Sequence, residues 1–408
     1  MNKPFASLLA MIAAILLVPS LAMAGGDDPP QITLRVHPVV MNASTSSIDI
    51  MWENSEADPG KIRIGTQSNL SGAALLTDSR DIKIHKVTIN GLQANRKYYY
   101  RIELANQSSP INSFTTSPAS TNEPFRLVML GDTRKGYGPE AWLLEAGEDD
   151  DHRAVQQAAL NRAPDVYLNS GDFGFAGQDE DDVINFFKQE KQLLGNSVFY
   201  PVYGNHDFAW FFGLSDASLG TGNTYFDSYF MVPGNGAFDY YSFNYSNVHF
   251  LVINSNGCNS AETCADTFAP GTAQYAFIQS DLASAAGNPN VDHIVVSHHH
   301  PAVGAGGVDS EFNALFPLYT QYGVDTVVTG HVHNYERATK DGITYVVTGG
   351  GGSPLSGTDA SSYTNAIAKE LNFVVGDFTS AGASFTSYGV VGDDNTATWV
   401  LDSWNVQY

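Results

Sequence analysis

Val324-Asp325-Thr326-Val327-Val328-Thr329-Gly330-His331-Val332-His333-Asn334-Tyr335-Glu336-Arg337 carries the pattern that decides the fold. Residues 324–328 form a short run rich in β-branched residues, which predicts a buried strand. The run enters Gly330, and glycine lets a chain turn sharply and bring the next side chains to the rim of a sheet. His331 and His333 alternate about Val332, so extended backbone would place both rings on one face. The same grammar recurs upstream. Leu130 leads to Gly131-Asp132, and Asn169-Ser170 leads to Gly171-Asp172. Tyr203 leads to Gly204-Asn205-His206-Asp207, and Val296-Ser297 leads to His298-His299-His300. One Gly-Asp after a strand is most often a turn. Five such clusters in one region are a different observation, because ligands of open α/β sheets bind beyond the carboxyl ends of the strands. Carboxylates, an amide and imidazoles converging there suit first-row divalent or trivalent metals.

Working outward, residues 125–130, 166–168, 198–203, 248–253, 293–296, 324–328 and 343–347 are apolar runs. Residues 153–162, 183–194, 274–285 and 311–322 carry a helical period between them. This alternation predicts a layered α/β domain over 123–408. The acidic stretch 145–151 reads as a solvated loop.

Residues 117–124 are polar and mark a boundary, and ahead of them the pattern changes. Residues 32–36, 47–52, 61–65, 81–89, 98–104 and 113–116 alternate apolar and polar positions, separated by turn-like clusters such as Glu56-Ala57-Asp58-Pro59-Gly60. Roughly seven strands in about 90 residues predict a β-sandwich over 31–118, with Trp52 in its core. Gly91-Leu92 ahead of Tyr98-Tyr99-Tyr100-Arg101 resembles the tyrosine corner of a fibronectin type III-like domain. No chemistry is assigned to this region, which reads as a scaffold or lid.

Residues 1–24 read as a signal peptide: Lys3, an apolar stretch 8–18, then Ala22-Met23-Ala24 ahead of Gly25. Its loss would remove Lys3 and take the net charge from −23 to −24. The expected location is secreted or periplasmic, with no stable membrane span after cleavage. With 20 Lys+Arg against 43 Asp+Glu, nucleic-acid binding through a basic face is disfavoured. Any anionic partner must be attracted by metals instead. Cys258 and Cys264 leave a local disulfide, two free thiols or half of a metal site as alternatives. Neither Gly-x-Ser-x-Gly nor His-Glu-x-x-His occurs, which removes the support for a serine hydrolase of that kind or a zincin.

Taken together, Gly131-Asp132, Gly171-Asp172, Gly204-Asn205-His206-Asp207, the 298–300 histidines and 330–337 resemble the calcineurin-like metallophosphoesterases, most closely the purple acid phosphatase branch. The resemblance spans essentially the whole mature chain. It implies a fibronectin III-like β-sandwich followed by a four-layer α/β/β/α metallophosphoesterase domain. It also implies two metal ions, with Asp172 bridging them. Asp132 and His333 would complete one site, and Asn205, His299 and His331 the other, with His298 the fallback for His299. His206 would face the substrate and Asp207 would orient its ring. Arg134, His152 and His300 are the substrate-side candidates.

The chain also departs from that branch. Phe175 stands where the purple enzymes have a tyrosine ligand to iron(III), which argues for manganese, zinc or iron(II) rather than ferric iron. Asp132-Thr133-Arg134 lacks a ligand at its third position, although the guanidinium fork of Arg134 suits phosphate oxygens. His152 resembles a histidine that follows Asp-Thr-Arg in some bacterial relatives, and would fill that gap or hold substrate. The implied activity is hydrolysis of a small phosphate ester by metal-bound hydroxide, of the acid phosphatase kind. A phosphodiesterase or nucleotidase of the same fold, and a catalytically silent metal- or phosphate-binding surface protein, are the competing readings.

Overall fold

A computed structural model describes residues 31–407, apart from 106, 120–122, 135–140, 178, 208–209, 212–213, 216–224, 238, 257–267 and 358. Ile32–Tyr408 forms one compact unit. Residues 1–24, Cys258 and Cys264 lie outside the described residues.

The N-terminal sheet domain comprises β1 (Leu34–Met41), β2 (Ser47–Gly65), β3 (Ala74–Asn90), β4 (Lys97–Ile102) and β5 (Asn112–Thr115). The anticipated strands resolve into five, because β2 runs straight through the supposed turn at 56–60. Its pairing with β3 shifts register between Glu53 and Asp58 and again between Pro59 and Gly60. Pro59 is tolerated there because a bulge needs no ladder donor. Gly60 marks a close approach rather than a turn: a Cβ on it would lie 2.5 Å from the Trp52 ring. Trp52 is fully buried and stacks on His85, with ring centroids 4.6 Å apart. The Tyr98 hydroxyl accepts the Gln93 N–H at 3.0 Å, the contact expected of a tyrosine corner.

The α/β domain follows with β6 (Phe125–Leu130), α1 (Ala141–Leu160), β7 (Val166–Asn169), α2 (Glu180–Asn196) and β8 (Val198–Pro201). Next come β9 (Tyr241–Tyr245), β10 (Val248–Val252), α3 (Ala273–Ala286), β11 (His293–Ser297), α4 (Phe316–Tyr322) and β12 (Thr326–Thr329). The chain closes with β13 (Tyr335–Lys340), β14 (Ile343–Thr348), β15 (Thr364–Ala368), β16 (Leu371–Thr379), β17 (Gly382–Gly392) and β18 (Asn395–Gln407). The stretch 145–151, anticipated as a loop, is helical within α1; its acidic residues replace the apolar period that would have announced a helix.

An eleven-stranded sheet runs β18-β17-β16-β6-β7-β8-β1-β2-β4-β5, with β3 also on β2. The parallel pairing of β8 with β1 joins the N-terminal strands directly to the α/β domain. A seven-stranded sheet runs β9-β10-β11-β12-β14-β13-β15. The alternation of strand side chains then sorts three cores. Leu127, Met129, Leu168, Val252, Val295 and Val328 fill the space between the sheets. Val128, Leu130 and Phe199 face the other way, onto Val155 of α1 and Phe186 of α2. Leu251, Val296 and Val327 pack on Ile278 of α3 and Tyr319 of α4. The order of layers is therefore helix, sheet, sheet, helix. The central strands β6–β7–β8 and β10–β11–β12–β14 are parallel within their sheets, so their carboxyl ends share a rim.

Candidate metal centre

Sheet one delivers its polar residues immediately after β6, β7 and β8. Asp132 and Asp172 both adopt left-handed backbone, with φ of 57°. L-residues avoid this region, and such strain clusters at functional turns. The turns are locked together: Asp132 N–H donates to the Gly171 carbonyl at 2.8 Å, and Thr133 N–H to the Asp172 carbonyl at 3.0 Å. The turn after β8 lies directly on Asp172. A Cβ on Gly204 would fall 2.2 Å from Asp172 Oδ1, so no side chain fits there. The next residues clasp the carboxylate, since His206 N–H donates to Asp172 Oδ1 at 2.9 Å.

Sheet two delivers imidazoles after β11 and β12. His299 Nδ1 lies 2.8 Å from the Ser170 carbonyl, which leaves Nε2 facing Asp172 Oδ1 at 3.2 Å and Asn205 Oδ1 at 3.1 Å. His331, again left-handed at φ 67°, has Nδ1 3.1 Å from the same Asn205 oxygen. Its N–H donates to both Asp132 oxygens, at 3.0 and 2.8 Å. His333 Nδ1 lies 2.8 Å from the Pro354 carbonyl, so its Nε2 faces Asp132 Oδ1 at 3.4 Å.

Ligand atoms of Asp132, Asp172 and His333 all lie within 4.8 Å of one another. Two buried carboxylates this close repel unless cations offset them. Burial pushes the Asp172 carboxyl up, but His299, His206 and Arg134 together hold it well below the usual range. For His299 burial acts downward, and Asp172 and Asp132 outweigh it, raising the ring to about 9. His331 is lowered to about 4, by burial first and by His299 second. The donor set fits a metal centre. Two carboxylates and an amide oxygen meet imidazole nitrogens, and in His299 and His333 the other ring nitrogen is fixed on a backbone carbonyl, the partner that sets the tautomer of a ligating histidine. Asp132, Asp172 and His333 would hold one ion, and Asp172, Asn205, His299 and His331 a second.

Other expected residues stand elsewhere. The Asp207 carboxylate accepts N–H groups from Asp172, Phe173 and Gly204, at 2.8, 2.8 and 2.7 Å. It is spent on closing the turns, and the Phe175 carbonyl takes His206 Nδ1 at 2.7 Å in its place. His152 is 2% exposed, and its Nε2 sits 3.0 Å from Glu190 Oε1. Its ring is engaged by Glu190, and it is not among the clustered donors Asp132, Asp172 and His333. Its partner belongs to a buried relay that sequence reasoning missed: Tyr167 hydroxyl donates to Glu190, Asn169 donates to Tyr167, and Gly171 N–H donates to Asn169. The only signal was a polar Asn169 at the end of an apolar strand. His300 stands at the rim, its ring 4.3 Å from that of His331, with Nδ1 3.0 Å from Ser255 Oγ. His298 is buried against Phe312 at 4.8 Å, away from the donor cluster. Arg134 turns inward: its Nε donates to Asp172 Oδ2 at 3.2 Å, and Nη2 approaches His333 Nε2 at 3.5 Å.

The family model for calcineurin-like phosphoesterase matches residues 125–335, and that for the purple acid phosphatase N-terminal domain matches 33–116. Purple acid phosphatase 22 of Arabidopsis thaliana is 28% identical over 267 residues, covering 62% of this chain and 54% of its own length. Probable inactive purple acid phosphatase 27 of the same plant is 26% identical over 359 residues, covering 72% of this chain and 56% of its own. The chain thus spans just over half the length of these curated relatives. The structure of purple acid phosphatase PPD1 from yellow lupin (Lupinus luteus) seeds superposes with a TM-score of 0.72 at 19% identity, covering 91% of this chain and 74% of that one. That likeness is one of fold. The chain belongs to the calcineurin-like phosphoesterase family, with a purple acid phosphatase N-terminal domain ahead of its α/β domain.

Proposed function

We propose that this chain is a metal-dependent phosphoric ester hydrolase acting on small phosphate monoesters, delivered outside the cytoplasm by residues 1–24. One observation carries the reading: both sheets aim carboxylate, amide and imidazole donors at one point, with His206 clasping Asp172 through its backbone N–H. Bound divalent ions of manganese, zinc or iron would supply charge neutralisation for the phosphate and a lowered pKa for water. Asp172 would serve both positions, because a carboxylate has two oxygens. The protein's own groups then do the positioning. His206, with Nδ1 held by the Phe175 carbonyl, presents Nε2 to hydrogen-bond the phosphate or pass a proton to the leaving oxygen. A cleft of about 350 Å³ beside His300 and His331, lined also by Pro301, Val308, Val332 and Glu336, suits the leaving group. Phosphoryl transfer needs mainly such placement and charge compensation.

A second reading, a metal- or phosphate-binding protein without turnover, is favoured by the contact of Arg134 with Asp172. The test compares hydrolysis of nitrophenyl phosphate with that of its bis-ester, with added Mn²⁺, Zn²⁺ or Fe²⁺, beside Asp172→Ala. Monoester turnover that dominates, and is lost in the variant, supports the proposal. Dominant bis-ester turnover would make this a phosphodiesterase. Metal binding without turnover of either would favour the silent binder.

A further inference from the structure

Four buried polar side chains lie behind the centre: His152 of α1, Tyr167 and Asn169 of β7, and Glu190 of α2. Burying such groups is costly unless each is hydrogen-bonded, and for stability alone well-packed apolar side chains often serve as well. These four bond to one another, and the bonds have a fixed direction. Gly171 N–H can only donate, so at 3.0 Å it fixes Asn169 Oδ1 as the acceptor. Asn169 Nδ2 must then donate, and it reaches the Tyr167 hydroxyl at 2.8 Å. The hydroxyl proton is thereby sent on to Glu190 Oε1 at 3.0 Å. His152 Nε2 meets the same oxygen at 3.0 Å. Every link ends on Oε1, whereas Glu190 Oε2 has no hydrogen-bond partner among the described residues.

Both ends of this network bear on the metal centre. Gly171, held by Asn169, has φ of 104° and directly precedes Asp172 at φ 57°. It sits where the turns of the two sheets meet: a Cβ on it would lie 2.6 Å from Gly204 N and 2.7 Å from His299 Nδ1. At the other end, the backbone of His152 packs against Gly352, where a Cβ would lie 2.8 Å from His152 Cα. The next residue, Ser353, donates its N–H to the Asp132 carbonyl at 3.0 Å, and Gly351 N–H donates to the Gly131 carbonyl at 2.9 Å. The network is strung between the turn that carries Asp172 and the loop that closes on Asp132.

We propose that Glu190 is a positioning residue for the metal centre: through Tyr167 and Asn169 it fixes the turn that carries Asp172, and through His152 it backs the loop that closes on Asp132. The placement of the two carboxylates, and with it the affinity for metal, is set from this network. What the network takes from Glu190 is one acceptor oxygen, Oε1. Groups that hold metal ligands in place are worth roughly 10–100-fold in metal affinity or activity. The inference rests on the metal-centre reading above.

The test is calorimetric titration of the chelator-stripped full-length protein with Mn²⁺, beside urea midpoints and the rate on nitrophenyl phosphate as Mn²⁺ is raised. Glu190→Leu and Asn169→Leu should each weaken Mn²⁺ binding by about tenfold or more. Their rates should recover at high Mn²⁺, which a loss of folded protein would not allow. Glu190→Gln keeps an acceptor oxygen where Oε1 stands and should bind within about twofold of the wild type. Tyr167→Phe removes only a hydroxyl and serves if the leucine variants fail to fold; a loss of about threefold or more is expected from the broken hydrogen bonds. Val155→Ala, in the same core but outside the network, should lower the urea midpoint and leave Mn²⁺ affinity unchanged. Wild-type affinity in Tyr167→Phe and Asn169→Leu would overturn the proposal. So would Glu190→Gln binding as weakly as Glu190→Leu, or Val155→Ala weakening Mn²⁺ binding as much as the network variants do. No Mn²⁺ binding by the wild type would instead overturn the metal-centre reading on which the proposal rests.

Discussion

The two sheets contribute different chemistry to the same rim. The eleven-stranded sheet supplies oxygen: Asp132, Asp172 and Asn205 follow β6, β7 and β8. The seven-stranded sheet supplies nitrogen: His299 follows β11, and His331 and His333 follow β12. Neither set alone is a hard-metal or a soft-metal cage, and the mixed site exists only while the sheets stay packed. The contacts across the seam are polar at the rim, as in His331 N–H on Asp132 and His299 Nδ1 on Ser170, and apolar below it. Assembly of the centre is thereby coupled to the global fold rather than to one loop.

That division can be probed unequally. The largest effect is expected from His206→Ala, the rim histidine from the oxygen-bearing sheet. Its side chain is not among the proposed ligands, so metal content should be unchanged while turnover of nitrophenyl phosphate falls roughly 10²–10⁴-fold, the usual worth of a positioned proton-transfer group. Loss of metal along with rate would move His206 into the ligand set and blur the division. A smaller effect, at the seam itself, comes from His293. It is fully buried at the start of β11, with its ring 5.5 Å from Phe378 of the opposite sheet. Burial lowers its pKa to about 3. A depressed histidine stabilises the fold above its unfolded pKa near 6.5, and that contribution is lost as pH falls toward about 3, at roughly 1.4 kcal/mol per pH unit. The Asp325 carboxyl, 3.5 Å from His293 Nδ1 and pushed up to about 6 by burial, acts in the opposite sense and is retained in the variant. His293→Leu should therefore lose less stability than the wild type between pH 6.5 and 3, read from urea midpoints. Parallel curves would show that this ring does not titrate across the seam.

Much of this was legible in the sequence because it is local. A strand, a glycine and a polar residue are consecutive, so residues 330–333 and 204–207 announced both the rim and its chemistry. The apolar runs announced the buried strands of a layered α/β domain. What stayed hidden depends on partners far along the chain. Asp207 has the right type and place to orient His206, yet the backbone amides of the neighbouring turn claim it first. His152 is 38 positions from the Glu190 that buries it. Gly60 and Pro59 read as a turn because composition cannot distinguish a turn from a bulge that admits Trp52 and His85. The acidic part of α1 escaped for the converse reason, since no apolar stripe marks it. Arg134 was recognised as a phosphate-binding type, but only the fold shows that it rests on Asp172.

The most direct test of the centre is a crystal of the full-length protein soaked in Mn²⁺ and measured for anomalous scattering. A strong peak within ligand distance of His299 Nε2, His331 Nδ1 and Asn205 Oδ1 is predicted, with a second among Asp132, Asp172 and His333. Absence of any peak at this rim, with manganese bound elsewhere on the protein, would contradict the account.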